Sequence, residues 1–195
     1  ERHVMFLPTL GVSRLHVVTG HMRENLQAVF PDLRARYGAA IAELYNPDFR
    51  EGSVLSMHAS IPALANARGP VLLMDGDVLY DGRMLRRLVE SPQRTALLVD
   101  REYSTADDDP VLVPMNGGKP FDFVKRWSGK AESIGESIGF FKVDPADIPF
   151  LIQETEARKA GARRADSYDD VLRQMVKGGL FGAEDVTGLP WTEID

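Results

Sequence analysis

The chain has 195 residues, of which 44% are hydrophobic and 27% charged, with a formal net charge of −6 and no cysteine. That length closes one core, or a core with a small appendage, so residues 1–195 are read as a single domain. The acidic balance argues against a nucleic-acid groove or a membrane surface, which need clustered Lys and Arg, and the absence of Cys excludes disulfides and thiolate zinc sites. No apolar run approaches the roughly 20 residues of a membrane span and no leader pattern opens the sequence, which makes the cytoplasm the expected compartment.

Taken in order, residues 2–10 open directly into apolar positions (Val4, Met5, Leu7, Leu10) without a capping residue ahead of them, as if something upstream were missing. Residues 13–19 read as a strand ending at Gly20, and residues 21–30 as a helix whose Met22, Leu26, Val29 and Phe30 form one apolar stripe. A strand over 39–45 follows, broken by Asn46-Pro47-Asp48; Ser53 then caps a helix to about Ala67 that turns Val54, Met57, Ile61 and Leu64 inward. The run Val71-Leu72-Leu73-Met74 has the look of a strand covered on both faces. Residues 82–90 form a helix burying Met84, Leu85 and Leu88, and 95–99 another apolar strand. This alternation predicts a three-layer α/β/α, doubly wound, mostly parallel mixed sheet.

Beyond Asp100 the texture shifts to short strands at 111–114, 121–126 and 137–143, read as a small mixed β appendage. The triplet Asp107-Asp108-Asp109 reads as a solvated loop and Gly117-Gly118-Lys119-Pro120 as a turn between strands. Two helices close the chain. Asp144 caps the first, with Pro145 in its opening turn. Ser167 caps the second in a box closing on Asp170, with Tyr168, Val171, Leu172, Met175 and Val176 inward.

The chemistry gathers after the strand at 71–74. Ligands of such sheets sit beyond the carboxyl ends of the strands, and there the sequence places Asp75 and Asp77. If the backbone stays extended through Gly76, both carboxylates face one way and address a single hard cation carrying phosphate oxygens. A solvated Asp-Gly turn is the competing reading.

Four ordered segments carry a resemblance. They are Asn46-Pro47-Asp48-Phe49-Arg50-Glu51-Gly52-Ser53-Val54-Leu55-Ser56, Leu73-Met74-Asp75-Gly76-Asp77-Val78-Leu79-Tyr80, Gly135-Glu136-Ser137-Ile138-Gly139-Phe140-Phe141-Lys142-Val143 and Trp191-Thr192-Glu193-Ile194-Asp195. Together they resemble the sugar-phosphate and alcohol-phosphate nucleotidyltransferases, closest to the bacterial phosphocholine and aminoethylphosphonate cytidylyltransferase-like branch. That family opens on a glycine-rich phosphate loop and a Lys, which these 195 residues do not contain.

The resemblance implies a Rossmann-like nucleotidyltransferase fold and a reaction in which CMP passes from CTP to a small phosphate or phosphonate, with release of pyrophosphate. It implies a Mg2+ ion held by Asp77 and Asp195, with Asp75 beside it on the nucleotide side, and Gly52 and Ser53 at the pyrimidine edge. Lys125 and Lys142 would meet phosphates, and Glu136 and Ser137 the acceptor. An ammonium-bearing acceptor calls for an aromatic face or a carboxylate, for which Trp127, Tyr168, Asp169 and Trp191 are candidates by type. A homodimer is compatible with all of this. The alternatives are a sugar-1-phosphate nucleotidyltransferase, a glycosyltransferase using its Asp-x-Asp on a nucleotide sugar, and a non-catalytic nucleotide-binding domain.

Overall fold

The computed structural model describes residues 1–12, 14–102 and 110–194; the Asp107-Asp108-Asp109 loop and Asp195 lie outside the described residues. The chain divides into two compact units, one made of residues 1–66 and 152–168, the other of residues 67–151 and 169 onward.

In the first unit, α1 (Arg2–Phe6) and a 3-10 turn lead into β1 (Arg14–Thr19), which pairs in parallel with β2 (Ala40–Tyr45). Between them runs α2 (Arg23–Tyr37). Its packing corrects the expected stripe: Met22, Leu26 and Val29 are exposed, and only Phe30 of that set is buried. The helix continues through Pro31 to Tyr37, so the face that meets Val4, Ile41, Leu15 and Val17 is Phe30, Leu33 and Tyr37, at i, i+3 and i+7. Next comes α3 (Ser53–Ala65), which buries Val54, Leu55, Met57 and Leu64 and carries Pro62 within it.

The second unit holds a sheet of six strands: β3 (Val71–Met74), β5 (Thr95–Asp100), β6 (Leu112–Asn116), β7 (Lys119–Pro120), β8 (Ser133–Val143) and β9 (Phe181–Asp185). A separate ribbon pairs β4 (Val78–Tyr80) with β10 (Trp191–Glu193) in antiparallel sense. Helices α4 (Gly82–Val89) and α6 (Asp169–Lys177) also belong to this unit, while α5 (Ile148–Ala160) has residues in both.

Expected as part of a small appendage, β8 proves to be the longest strand and is buried over its last nine residues. It runs antiparallel to β3, β5 and β6, while β5 and β9 are parallel. The segment 121–126 alternates like a strand, yet it contributes one bridge, Val124 to Leu112. Side chains anchor it instead. Asp122 is buried and takes two hydrogen bonds from Arg173, at 2.7 and 3.0 Å, and Phe123 packs edge-on against Phe141.

Candidate active site

The four apolar residues of β3 lie along β8, with Met74 opposite Phe140, and deliver Asp75 and Asp77 beyond their carboxyl end. The backbone bends at Gly76 and Asp77 before resuming as β4, so the two aspartates are not presented by one extended strand. What aims Asp75 is the neighbouring strand. Leu97 of β5 opposes Phe141 while Val99 opposes Ser137, so residues 138–140 of β8 face Leu98 alone. Such a bulge re-aims side chains at the rims of sheets.

Gly139 sits in this bulge with φ +73, a conformation L side chains rarely adopt. A Cβ there would stand 2.1 Å from Asp75 Oδ2. The bare Cα thus opens the space into which the carboxyl group fits. The Asp75 N–H donates to the Gly139 carbonyl at 3.1 Å, and the Gly139 N–H donates to Ser137 Oγ at 3.2 Å.

Asp77 is exposed, and its carbonyl accepts a 2.8 Å hydrogen bond from the Ile194 N–H. That bond continues the β10–β4 ladder, in which Glu193 opposes Val78 and Trp191 opposes Tyr80. The C-terminal strand therefore runs directly to Asp77. Trp191 makes a second connection, its Nε1–H donating to Asp100 Oδ2 at 2.8 Å. Asp100 lies opposite Glu136 at the carboxyl end of β5, Glu136 opposite Leu112, and Leu112 bridges Val124. One row across the sheet thus carries Asp100, Glu136 and, next to Val124, the exposed Lys125.

The remaining expected residues distribute unevenly. Glu136 and Ser137 are almost wholly buried, and Ser137 Oγ braces the bulge by accepting from the Gly139 N–H. Trp127 lies edge-on to Phe121 at 5.5 Å, with Gly129 so near its six-membered ring that a Cβ would stand 2.4 Å away. The Trp127 Nε1–H is buried without a hydrogen-bond partner among the described residues.

Lys142 corrects the sequence reading. It is buried on β8 opposite Leu72 and Ala96, at the amino ends of β3 and β5, about 10 Å along the strand from Asp75. Its Nζ donates to the Ser91 carbonyl at 2.7 Å. Burial holds its pKa below the ordinary lysine value, against the pull of Glu184 and Asp144. It belongs to the opposite end of the sheet and leaves the candidate set. Strand spacing gives a side chain's face but not which end of the sheet it occupies.

In the first unit, Gly52 occupies the N-cap position of α3, extended at φ −171, and Ser53 is the helix's first residue instead of its cap. A Cβ on Gly52 would stand 2.5 Å from the Arg164 carbonyl, so only glycine admits this approach. Ser53 Oγ accepts from the Tyr168 N–H at 3.0 Å and lies 3.1 Å from Ser167 Oγ; the Val54 N–H donates to the Asp166 carbonyl. The expected capping hydroxyls thus join two segments of the unit. Tyr168 ends this arrangement and Asp169 opens α6.

Carboxylate oxygens suit a hard divalent cation, and magnesium commonly takes one or two of them and fills its other positions with phosphate oxygens and water. Among the described residues no group of three or more His, Asp or Glu is arranged to hold a metal ion. Asp75 and Asp77 supply two carboxyl groups at one strand end, which fits that donor set.

No protein-family model matches the sequence, and no curated protein matches it significantly. Among solved structures, the chain is similar to the inositol-1-phosphate CTP transferase from T. maritima, with a TM-score of 0.72 at 19% identity, over 98% of this chain and 76% of that one. The two chains share a mixed α/β fold. Among the described residues no helix is long and apolar enough to cross a membrane.

Proposed function

We propose that this chain is the cytidylyltransferase its sequence resembles, passing CMP from CTP to a small phosphate or phosphonate and releasing pyrophosphate. The observation that carries the reading is the arrangement around Asp77: β3 ends three residues before it, Gly139 leaves room for the Asp75 carboxyl group, and the C-terminal strand is hydrogen-bonded to the Asp77 carbonyl. An acceptor oxygen would attack the α-phosphorus in line, forming a P–O bond as the bond to pyrophosphate breaks. Both partners are anions, so alignment and charge neutralisation carry most of the catalysis.

In this proposal Asp77 and Asp195 hold Mg2+, with Asp75 beside them. When bound, that ion would neutralise the triphosphate and draw charge from the leaving group. Lys125, exposed next to the Asp100–Glu136 row, is the cation offered for phosphate. Trp127 enters the proposal by type, as an aromatic face for an ammonium-bearing acceptor. The nucleobase roles of Gly52 and Ser53 and the ammonium-recognition role of Tyr168 and Asp169 rest on the resemblance and belong to the same proposal.

A second acceptor class has its own support. The neighbour's name gives it a cyclitol phosphate as substrate, which recommends polyol phosphates beside phosphocholine, phosphoethanolamine and aminoethylphosphonate. The test is pyrophosphate release with Mg2+ and each nucleoside triphosphate against that panel and hexose phosphates. CTP-dependent release with an alcohol phosphate or phosphonate is expected. Release with hexose phosphates alone would move the chain to the sugar branch, and transfer from a nucleotide sugar without pyrophosphate would replace the proposal by glycosyl transfer.

A further inference from the structure

The β4–β10 ribbon is three residues on each side. Two strands of that length are marginal alone, so something else must hold the C-terminal strand in place. Its backbone contacts at either end are the Asp81 N–H to the Pro190 carbonyl, at 3.1 Å, and the Ile194 N–H to the Asp77 carbonyl. Between them, Trp191 reaches out of the ribbon to Asp100.

Asp100 is well chosen for the purpose. Every residue of β5 is buried, and the strand lies between β8 and β9. Asp100 is 7% exposed, and its carboxylate is committed on both oxygens, Oδ1 to the Glu102 N–H at 2.9 Å and Oδ2 to the Trp191 indole. A hydrogen bond to a carboxylate is among the stronger kinds and fixes direction as well as distance. The ribbon is thereby tied to a strand that cannot yield.

We infer that Asp100 and Trp191 are a positioning pair, whose hydrogen bond seats the C-terminal strand on Asp77 and so sets the affinity of that end of the sheet for its divalent cation. The seating stands on the fold; the link to the cation rests on the proposed metal-nucleotide reading. Neither residue touches the reacting atoms. Both act through the register of the ribbon.

The test uses the full chain with Trp191→Phe, which keeps an aromatic ring and loses the N–H, and with Asp100→Leu and Asp100→Asn. Three quantities are read: hydrogen exchange at the Ile194 amide, Mn2+ affinity in the presence of CTP, and Tm. Losing a bond to a charged acceptor shifts the seated equilibrium by about 10-fold or more. Trp191→Phe and Asp100→Leu are therefore expected to speed Ile194 exchange and to weaken Mn2+ binding by about that factor. Asp100→Asn, whose single accepting oxygen can serve the Trp191 indole or the Glu102 N–H but not both, is expected to recover part of both relative to Asp100→Leu.

Unchanged Ile194 exchange in Trp191→Phe would overturn the inference. So would a fall in Tm with Mn2+ affinity intact, the mark of a purely structural bond. Should Trp191→Phe fail to fold, the contrast between Asp100→Asn and Asp100→Leu decides on the same readouts. Should the wild-type chain release no pyrophosphate while these shifts appear as stated, the inference holds and the cytidylyl-transfer reading falls.

Discussion

The two ends of the β3–β8–β5 strands put similar residue types to opposite uses. At the amino ends of β3 and β5, Lys142, Ser91, Glu184, Thr95, Asp147, Asp144 and Arg94 are knitted together: Lys142 to the Ser91 carbonyl, Ser91 Oγ to Glu184, Thr95 Oγ1 to Asp147, and Arg94 to Asp144. At the carboxyl ends the backbone bends at Gly76, bulges at Gly139 and captures a passing strand, leaving Asp77 exposed. Mutual satisfaction marks the first end as a fastening. Backbone irregularity around a carboxylate sets the second apart, and the proposed site draws on it.

Substitutions at the two ends should separate these roles. The largest effect is expected from Asp77→Asn, whose amide keeps the shape and loses the anionic ligand. Turnover in the pyrophosphate assay should fall by at least about 100-fold with Tm unchanged. Residual Mg2+-dependent activity near wild type would erase the distinction between the ends.

Next comes Gly139→Ala, where the new Cβ meets Asp75 and the backbone is strained at φ +73. Stability should drop by about 1–3 kcal/mol in urea unfolding and turnover by about 10-fold, since strain and loss of aim act together. A stability loss with turnover intact would show that Asp75 needs no aiming.

At the fastening end, Lys142→Met should leave kcat within about 3-fold and cost about 1–3 kcal/mol by leaving the Ser91 carbonyl without its donor. This variant also has a pH signature. The folded-state pKa of Lys142 is lowered, so between that value and 10.5 the unfolded chain binds more protons than the folded one. Stability contributed by this group therefore rises with pH through that window and is lower below it. Urea titrations at a series of alkaline pH values should show the wild type gaining on Lys142→Met as 10.5 is approached; a constant difference would contradict the shift. The smallest effect is expected from Lys125→Gln, an exposed side chain, with a rise in KM for CTP of several-fold and no change in Tm.

What the sequence disclosed follows the same division. The run Val71-Leu72-Leu73-Met74 reveals a covered strand and its acidic end, because burial on both faces leaves a mark in composition. The bulge left no such mark: Gly139 is one of 17 glycines, and its value depends on a pairing offset between β5 and β8 that only the register displays. Strand β9, Phe181–Asp185, carries neither alternation nor a β-branched residue and pairs along one edge of β5 only. On α2 two apolar faces share Phe30, and where the helix ends decides which of them meets the core. The hydrogen bond from Trp191 to Asp100 joins residues 91 positions apart, beyond any local pattern.

The central claim is that the carboxyl ends of these strands bind a metal nucleotide and the amino ends do not. Mn2+ added with CTP to isotope-labelled chain tests it, read as paramagnetic broadening of backbone amides. The account predicts broadening centred on Asp75, Asp77, Gly139 and Ile194, abolished by Asp77→Asn, and weaker at Ser91 and Lys142, which lie further along the strands. Broadening centred on Ser91 and Lys142, or none at Asp77, would contradict it.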